Sequence, residues 1–520
     1  MRLCPKHKPG AYAAVMALVA VAALLLLRKP ELLNAYTYSD RIYDRIGQLL
    51  HLGLSLDDKY RIRVPLQEIP PVAREALLLY EDRWFYEHPG VNPASMLRAV
   101  WQMLTGGRRQ GASTLTMQVA RIVYHIDSSS VSGKLLQIVR ALQLEIFYSK
   151  DEILEAYFNL APYGGNIEGI AAAAQVWFNT PVSRLNLPQI LTLTVIPQNP
   201  VKRSPATPAV LKNAAAAAAR LKELWREKHP VSADDDLNLP LSSGRFLPHE
   251  APHAVRRLRE TARGKIAATL DENLQKQTEA ILSKYVKDNA GRGIFNAAAI
   301  LVDYKTAEVL AAVGSADFFN EKIDGQVDGT AALRSPGSAL KPFIYALALD
   351  QGLIHPRTML KDVPKNYGLY TPENFDRSFY GLGNATQALV YSRNIPAVDL
   401  LLRLEENSFY QMLEKAGVKK LKTPGYYGLA LALGGAEVSA QDLAALYAML
   451  GNGGKFRPLR WRKDEPQLPE TAMLSPEAAF LTLDMLSYNA PVDCRRLPFA
   501  KRSGTPYKVY WKTGTSFGYN

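Results

Sequence analysis

Residues 81–99 read EDRWFYEHPGVNPASMLRA, and the fold of the first half of the chain follows from them. Glu81 and Asp82 close an apolar run, 72–80, whose hydrophobic residues recur at three- and four-residue intervals, so two carboxylates stand at the end of a predicted helix. An aromatic patch of Trp84, Phe85 and Tyr86 follows, and His88-Pro89-Gly90 breaks the helical pattern. Taken alone, Glu81 is a solvated helix-end carboxylate. Its neighbourhood points elsewhere. Residues 110–121, QGASTLTMQVAR, place a Gly-Ser-Thr turn at the start of the next helix, where free amides and hydroxyls can hold phosphate oxygens. Between Thr105 and Lys150 stand six cations (Arg108, Arg109, Arg121, Lys134, Arg140, Lys150) against the acids Asp127 and Glu145. A carboxylate beside a basic, hydroxyl-rich pocket suits a base acting on a substrate whose leaving group is a pyrophosphate.

Outward from this stretch the helical spacing continues through 114–124, 134–147 and 152–159, with Gly and Pro at the breaks. An all-α domain is predicted to run to about Val201, and a further helix with the alanine run 214–219 follows Pro208. The polar stretch 229–253 reads as linker. Three ordered motifs carry a resemblance: EDRxFYxHxG at 81–90, GxSTxTxQ at 111–118, and ILEAYFNLAPYGGNIEGIAAAA at 153–174, with QNPVKRSP at 198–205 extending it. They resemble the glycosyltransferase family 51 domain, which polymerises lipid II on a lysozyme-like fold. The resemblance implies Glu81 as general base on the acceptor hydroxyl and Arg83 as a substrate-binding residue. It also implies that Ser113, Thr114, Gln118, Arg121 and Lys134 hold the donor pyrophosphate. The family usually has Lys-x-x-Glu where this chain has Lys134-Leu-Leu-Gln137, so Gln137 can hydrogen-bond the donor but carries no charge or proton. Glu145 reads as structural. The segment 98–107 reads either as a buried helix or as an apolar flap resting in a membrane leaflet.

Strand character begins after Lys265. Runs at 296–303 and 309–315 with a turn at 304–308 predict a hairpin, helices are predicted near 339–350 and 440–450, and a last strand around 507–513. The second half is therefore α+β. Ser338 and Lys341 in RSPGSALKPF share one face if helical, and a partly desolvated lysine can activate a serine nucleophile. Ser392-Arg393-Asn394 and Lys512-Thr513-Gly514-Thr515 complete an ordered set, and Ser487-Tyr488-Asn489 is rejected for lack of flanking context. Gly514 lets a substrate backbone lie against the strand edge, and Lys512 offers a charge for a carboxylate. The set resembles the penicillin-binding transpeptidases. This implies Ser338 as nucleophile, Lys341 as its base, Ser392 as proton relay and Asn394 as a positioner of the peptide amide. Lys512, Thr513 and Thr515 would bind the terminal carboxylate, and the Ser338 amide with one near Thr515 would form an oxyanion hole. Together the halves resemble the class A penicillin-binding proteins, most closely their 1C branch.

The chain has 520 residues and an excess of cations giving +13. Its composition excludes disorder, collagen and coiled coil as whole-chain readings. Cys4 and Cys494 are the two cysteines, so neither a disulfide framework nor a structural zinc site is encoded. Residues 9–29 hold an uncharged apolar run flanked by cations, with no small-x-small cleavage site, and read as an uncleaved transmembrane helix. The resemblance implies a single-pass protein of the inner membrane, with a cytosolic N-terminus and periplasmic catalytic domains. The expected division is anchor 9–29, glycosyltransferase 55–210, linker region 211–290, and a C-terminally incomplete transpeptidase 291–520. Expected partners are lipid II, nascent peptidoglycan, the membrane and β-lactam inhibitors, with no nucleic acid. No metal cage is evident, although the family admits a divalent cation such as magnesium at the pyrophosphate. Two other functions fit parts of the sequence: a lytic muramidase, and a β-lactam-binding scaffold with only the first activity.

Overall fold

The computed structural model describes residues 29–93, 113–229, 244–368, 370–406, 408–489 and 508–516. The chain divides into two compact units: Met1–Arg41 with His51–His249, and Ile42–Leu50 with Glu250–Asn520. The anchor at 9–29 lies outside the described residues except for Lys29, as does the 98–107 flap. Among the described residues no helix is long and apolar enough to cross a membrane.

The first unit is built on helices that start where the sequence offers a cap. Pro71 opens the helix Pro71–Glu81, with its ring fixing φ and its missing N–H costing nothing at the first turn. Thr114 caps Leu115–Val123, Ser130 caps Val131–Phe147, and Ser149 with Glu152 forms a reciprocal capping box on Lys150–Leu160. At the centre lies Ile170–Phe178, buried from Ile170 to Trp177. Only a glycine fits before it: Gly169 has φ +83°, and a Cβ there would strike the backbone of Asn159. Leu115–Val123 packs on Val131–Phe147 and Lys150–Leu160, while Pro71–Glu81 packs on Leu187–Val195 and Pro208–Lys228. The alanine run contributes Ala214, Ala217 and Ala218 to the buried side of Pro208–Lys228, where small side chains let the helix lie close. The domain is not purely helical. Tyr60–Arg61 pairs in parallel with Ile167–Glu168, and buried Arg61 is neutralised by Asp57 and Glu168. A two-residue ladder gives no alternating hydrophobic pattern for a sequence reading to find.

In the second unit the hairpin Ala299–Val302/Val309–Val313 forms as expected, antiparallel, with helix Glu272–Asn289 against its second strand. Helix Lys341–Asp350 is the centre of the larger core, buried from Lys341 to Ala348, with Asn394–Arg403, Ser408–Lys415 and Pro476–Ser487 packed on it. A short hairpin, Met359–Asp362 with Gly381–Asn384, leads into helix Ala385–Val390. A smaller core joins Ile42 and Leu50 to Ala254, Val255, Leu258, Ile266 and Trp461. Residues 211–290 carry the end of Pro208–Lys228, then Pro252–Thr261, Lys265–Ala267 and Glu272–Asn289. The last strand expected around 507–513 is absent: the described residues 508–516 join no ladder and are held by side chains instead, for example Asn489 Nδ2 donating to Trp511 O at 2.6 Å.

Candidate active sites

In the first unit Glu81 ends its helix with its side chain turned inward. Its Oε2 accepts from Gln118 Nε2 at 2.9 Å, and its Oε1 is buried without a partner among the described residues. Burial pushes its pKa up, and Asp82 adds to this, while the Gln118 hydrogen bond, Arg203 and Arg121 oppose it. The helix bearing Gln118 is fixed from both sides. Asp82 Oδ2 accepts from Leu115 N at 3.0 Å and meets His88 Nε2 at 3.0 Å, and the Thr114 hydroxyl donates to Gly90 O at 2.6 Å while accepting from Met117 N.

On the neighbouring helix Lys134 Nζ donates to Ser113 Oγ at 2.8 Å and to Gln137 Oε1 at 2.9 Å. Gln137 is buried and donates to Met117 O at 2.6 Å, so it ties two helices together. Burial and the nearby Arg121 lower the Lys134 pKa, as two cations sharing a pocket must. Ser113, Lys134 and Gln137 thus form one cluster joined to Arg121 by charge, and Glu81 with Gln118 forms another, both served by helix Leu115–Val123. Thr114 has its hydroxyl committed to the fold. Arg83 stands apart: it is exposed, donates to Leu79 O at 3.3 Å, and lines a groove with Arg74, Trp84 and Lys228. Glu145 accepts from Thr116 Oγ1 at 2.6 Å and from Lys150 Nζ at 2.7 Å, a structural position. Two residues near Glu81 drew no role from the sequence. Arg203 donates to Tyr80 OH and Gln198 Oε1, and the Tyr157 hydroxyl is buried without a partner among the described residues, its pKa raised by burial and by Glu81. Both lie in quoted motifs, which was the available signal.

In the second unit Ser338 sits in a 3-10 turn, Gly337–Leu340, that runs straight into the helix beginning at Lys341. Lys341 is fully buried. Its Nζ donates to Ser392 O at 2.6 Å, Arg393 O at 3.1 Å and Asn394 Oδ1 at 2.6 Å. Burial first, then Lys512 and Arg393, hold its pKa well below the usual lysine range, with Asp362 opposing. Lys512 Nζ donates to Ser392 Oγ at 2.7 Å, and burial lowers its pKa to about 8. Ser392 has φ +57°, a left-handed conformation that aims its hydroxyl at Lys512 and its carbonyl at Lys341. The segment 508–516 lies against the serine turn. A Cβ on Gly337 would run into the Thr515 carbonyl and one on Gly514 into the Pro336 carbonyl, while Ser516 Oγ donates to Ser335 O at 2.7 Å. Thr513, Gly514 and Thr515 remain exposed. Among the described residues no group of His, Cys, Asp or Glu could hold a metal ion.

The transglycosylase family model matches residues 47–227, and the penicillin binding protein transpeptidase domain matches residues 297–520. Penicillin-binding protein 1C of Escherichia coli (strain K12) is 38% identical over 471 residues, 89% of this chain and 60% of that protein. Two proteins of Bacillus subtilis (strain 168) are 30% identical: penicillin-binding protein 1F, over 86% of this chain and 64% of its own length, and penicillin-binding protein 2D, over 86% and 67%. The chain therefore spans about three fifths to two thirds of the length of these relatives. With both domain families in order along one chain, and with the motif residues of each gathered inside its own unit, the chain belongs to the class A penicillin-binding proteins.

Proposed function

We propose that the chain is a bifunctional peptidoglycan synthase, polymerising lipid II in its first unit and cross-linking stem peptides in its second. The observation that carries this reading is the meeting of Lys341, Ser392, Asn394 and Lys512 from three distant motifs around the turn that bears Ser338. In the first unit Glu81 Oε1 takes the proton of the acceptor sugar hydroxyl as that oxygen attacks the anomeric carbon of the donor. The bond to the undecaprenyl pyrophosphate breaks, and Arg121 and Lys134, with Ser113 beside them, neutralise the departing charge. Gln137 supports this pocket by hydrogen bonding and leaves the proton work to Glu81.

In the second unit a neutral Lys341 takes the Ser338 proton, and Oγ attacks the penultimate D-Ala carbonyl, expelling the terminal D-Ala. The amine of a neighbouring stem peptide then takes the acyl group from Ser338. Lys512, with Thr513 and Thr515 exposed beside it, receives the terminal carboxylate, and Ser392, its oxygen held by Lys512, gives its hydroxyl proton to the departing D-Ala nitrogen and takes back the one that Lys341 removed from Ser338. A β-lactam acylates the same serine. Residues 9–29 serve as a single-pass anchor with the catalytic units outside the cytosol, a reading supported by the apolar run. The divalent cation admitted by the family finds little support in the donor set: the pocket presents Arg121, Lys134 and an amide where a carboxylate would bind a metal, so no step is routed through one.

Incubation with lipid II and, separately, with a fluorescent penicillin tests both halves. Longer glycan strands are expected, lost in Glu81→Gln, and a covalent label, lost in Ser338→Ala. Product from finished sacculi but not from lipid II would replace the first half by a muramidase. Strand growth without labelling would leave a transferase joined to a unit that does not turn over.

A further inference from the structure

Between Ser392 and Asn394 stands Arg393, whose side chain turns inward and is 5% exposed. Its Nε donates to Asp362 Oδ2 at 2.7 Å, one Nη to Asp376 Oδ2 at 2.9 Å, the other Nη to Ser378 O, and the guanidinium lies 4.0 Å from the centre of the Tyr380 ring. Asp362 is buried and used on both oxygens. Oδ2 also accepts from Tyr380 N at 3.0 Å, and Oδ1 accepts from Asn374 Nδ2 at 2.8 Å. Asn374 closes the circle: its Oδ1 accepts from Asn394 N at 2.7 Å, and its Nδ2 also donates to Ser378 O at 2.9 Å. Asn394 in turn donates from Nδ2 to Glu373 O at 2.6 Å, which leaves its Oδ1 facing Lys341.

We propose that Asp362, Asn374 and Arg393 are positioning residues of the acyl-transfer site, locking the 373–380 loop to the 392–394 turn and so fixing the oxygens that surround Lys341. The proposal rests on the acyl-transfer reading above and assigns a role to the middle residue of Ser-Arg-Asn. A left-handed serine persists only where its surroundings over-determine it, and the paired guanidinium supplies that restraint from the next residue. A buried arginine spent on two aspartates is also unavailable to a substrate carboxylate, which leaves that task to Lys512. The charged groups facing Lys341 are Lys512 from the 508–516 segment, Arg393 from its own turn and Asp362 from the end of strand Met359–Asp362. The first two disfavour the ammonium and Asp362 favours it. A clamp that merely held the hairpin Met359–Asp362/Gly381–Asn384 in place would leave a charge-keeping variant such as Arg393→Lys labelling at the wild-type rate.

The test measures the rate of Ser338 labelling by a fluorescent penicillin against pH, on the full chain. In Asp362→Asn the acidic limb is expected to move to lower pH, and in Arg393→Gln to higher pH. Arg393→Lys keeps the charge but loses the fork, so its limb should stay in place while the rate near neutral pH falls about ten- to a hundredfold. Limbs that stay put or move in the same direction overturn the proposal, as does Arg393→Lys labelling at the wild-type rate. Should either charge variant fail to fold, as judged by its melting curve, Arg393→Lys decides alone. Wild-type protein that takes no label refutes the acyl-transfer reading itself, a result distinct from every variant outcome.

Discussion

At the scale of single residues the two candidate sites bury groups whose proposed roles require a change of charge. Burial holds the Glu81 carboxyl above the ordinary glutamate range, and a base must be deprotonated to act. Polymerisation is therefore expected to fall on acidification through a pH above that of a free glutamate. Gln118 donates to the charged form, so Gln118→Leu should move this limb to still higher pH, and for every pH unit the limb moves, the rate along it drops about tenfold. Initial rates of lipid II polymerisation across weakly acidic and neutral buffers check it. For the acyl transfer proposed in the second unit, Lys341 must be neutral and Lys512 charged. Lys512, at about 8, is charged below that pH and neutral above it, so labelling should decline as pH rises through about 8. Lys512→Arg should lose that alkaline decline, because a guanidinium stays charged there. The residues proposed to act stood out in the sequence because such chemistry demands particular types at particular spacings. Asp362 and Asn374 were not, because their work is done on Arg393 and Asn394, some twenty to thirty residues away along the chain.

At the scale of elements the serine turn depends on a close approach of backbones that only glycine permits. Gly337 has φ +53°, its missing side chain makes room for the Thr515 carbonyl, and Gly434 lies over Gly337 N in the same way. Gly337→Ala would carry about 1–3 kcal/mol of backbone strain before any clash is counted. It should abolish labelling of Ser338 while leaving polymerisation in the first unit intact, which parallel assays on one preparation would reveal. Helix starts were readable because caps and prolines have local causes: the run 72–80 becomes Pro71–Glu81, and 152–159 becomes Lys150–Leu160. The strand expected at 507–513 failed for the opposite reason. Apolar alternation describes what a segment could pair with, while pairing depends on a partner, and here the segment is held by the Asn489 side chain donating to Trp511 O and by its own Ser516 hydroxyl donating to Ser335 O.

At the scale of the whole molecule each unit has its own buried core and its own cluster of reacting groups. Acylation by a β-lactam should accordingly raise the melting transition of the second unit and leave that of the first where it is, measurable by calorimetry with and without the drug. The second core is completed by a piece of chain, Ile42–Leu50, that precedes the larger stretch of the first unit, His51–His249. Ile42 and Leu50, both fully buried, sit among Ala254, Val255 and Leu258, and the backbone of this piece bonds onward, Ala268 N to Tyr43 O and Arg45 N to Leu270 O, each at 2.8 Å. The second unit is thus a split protein in genetic terms. A gene fragment encoding 250–520 alone would make a protein lacking part of its own interior. A synthetic peptide covering 38–53 added in trans should restore its solubility and penicillin labelling, whereas the same peptide with Ile42→Asp and Leu50→Asp should not. A ribosome that has just finished the first unit therefore holds, some two hundred residues back, a strand still waiting for the domain it belongs to.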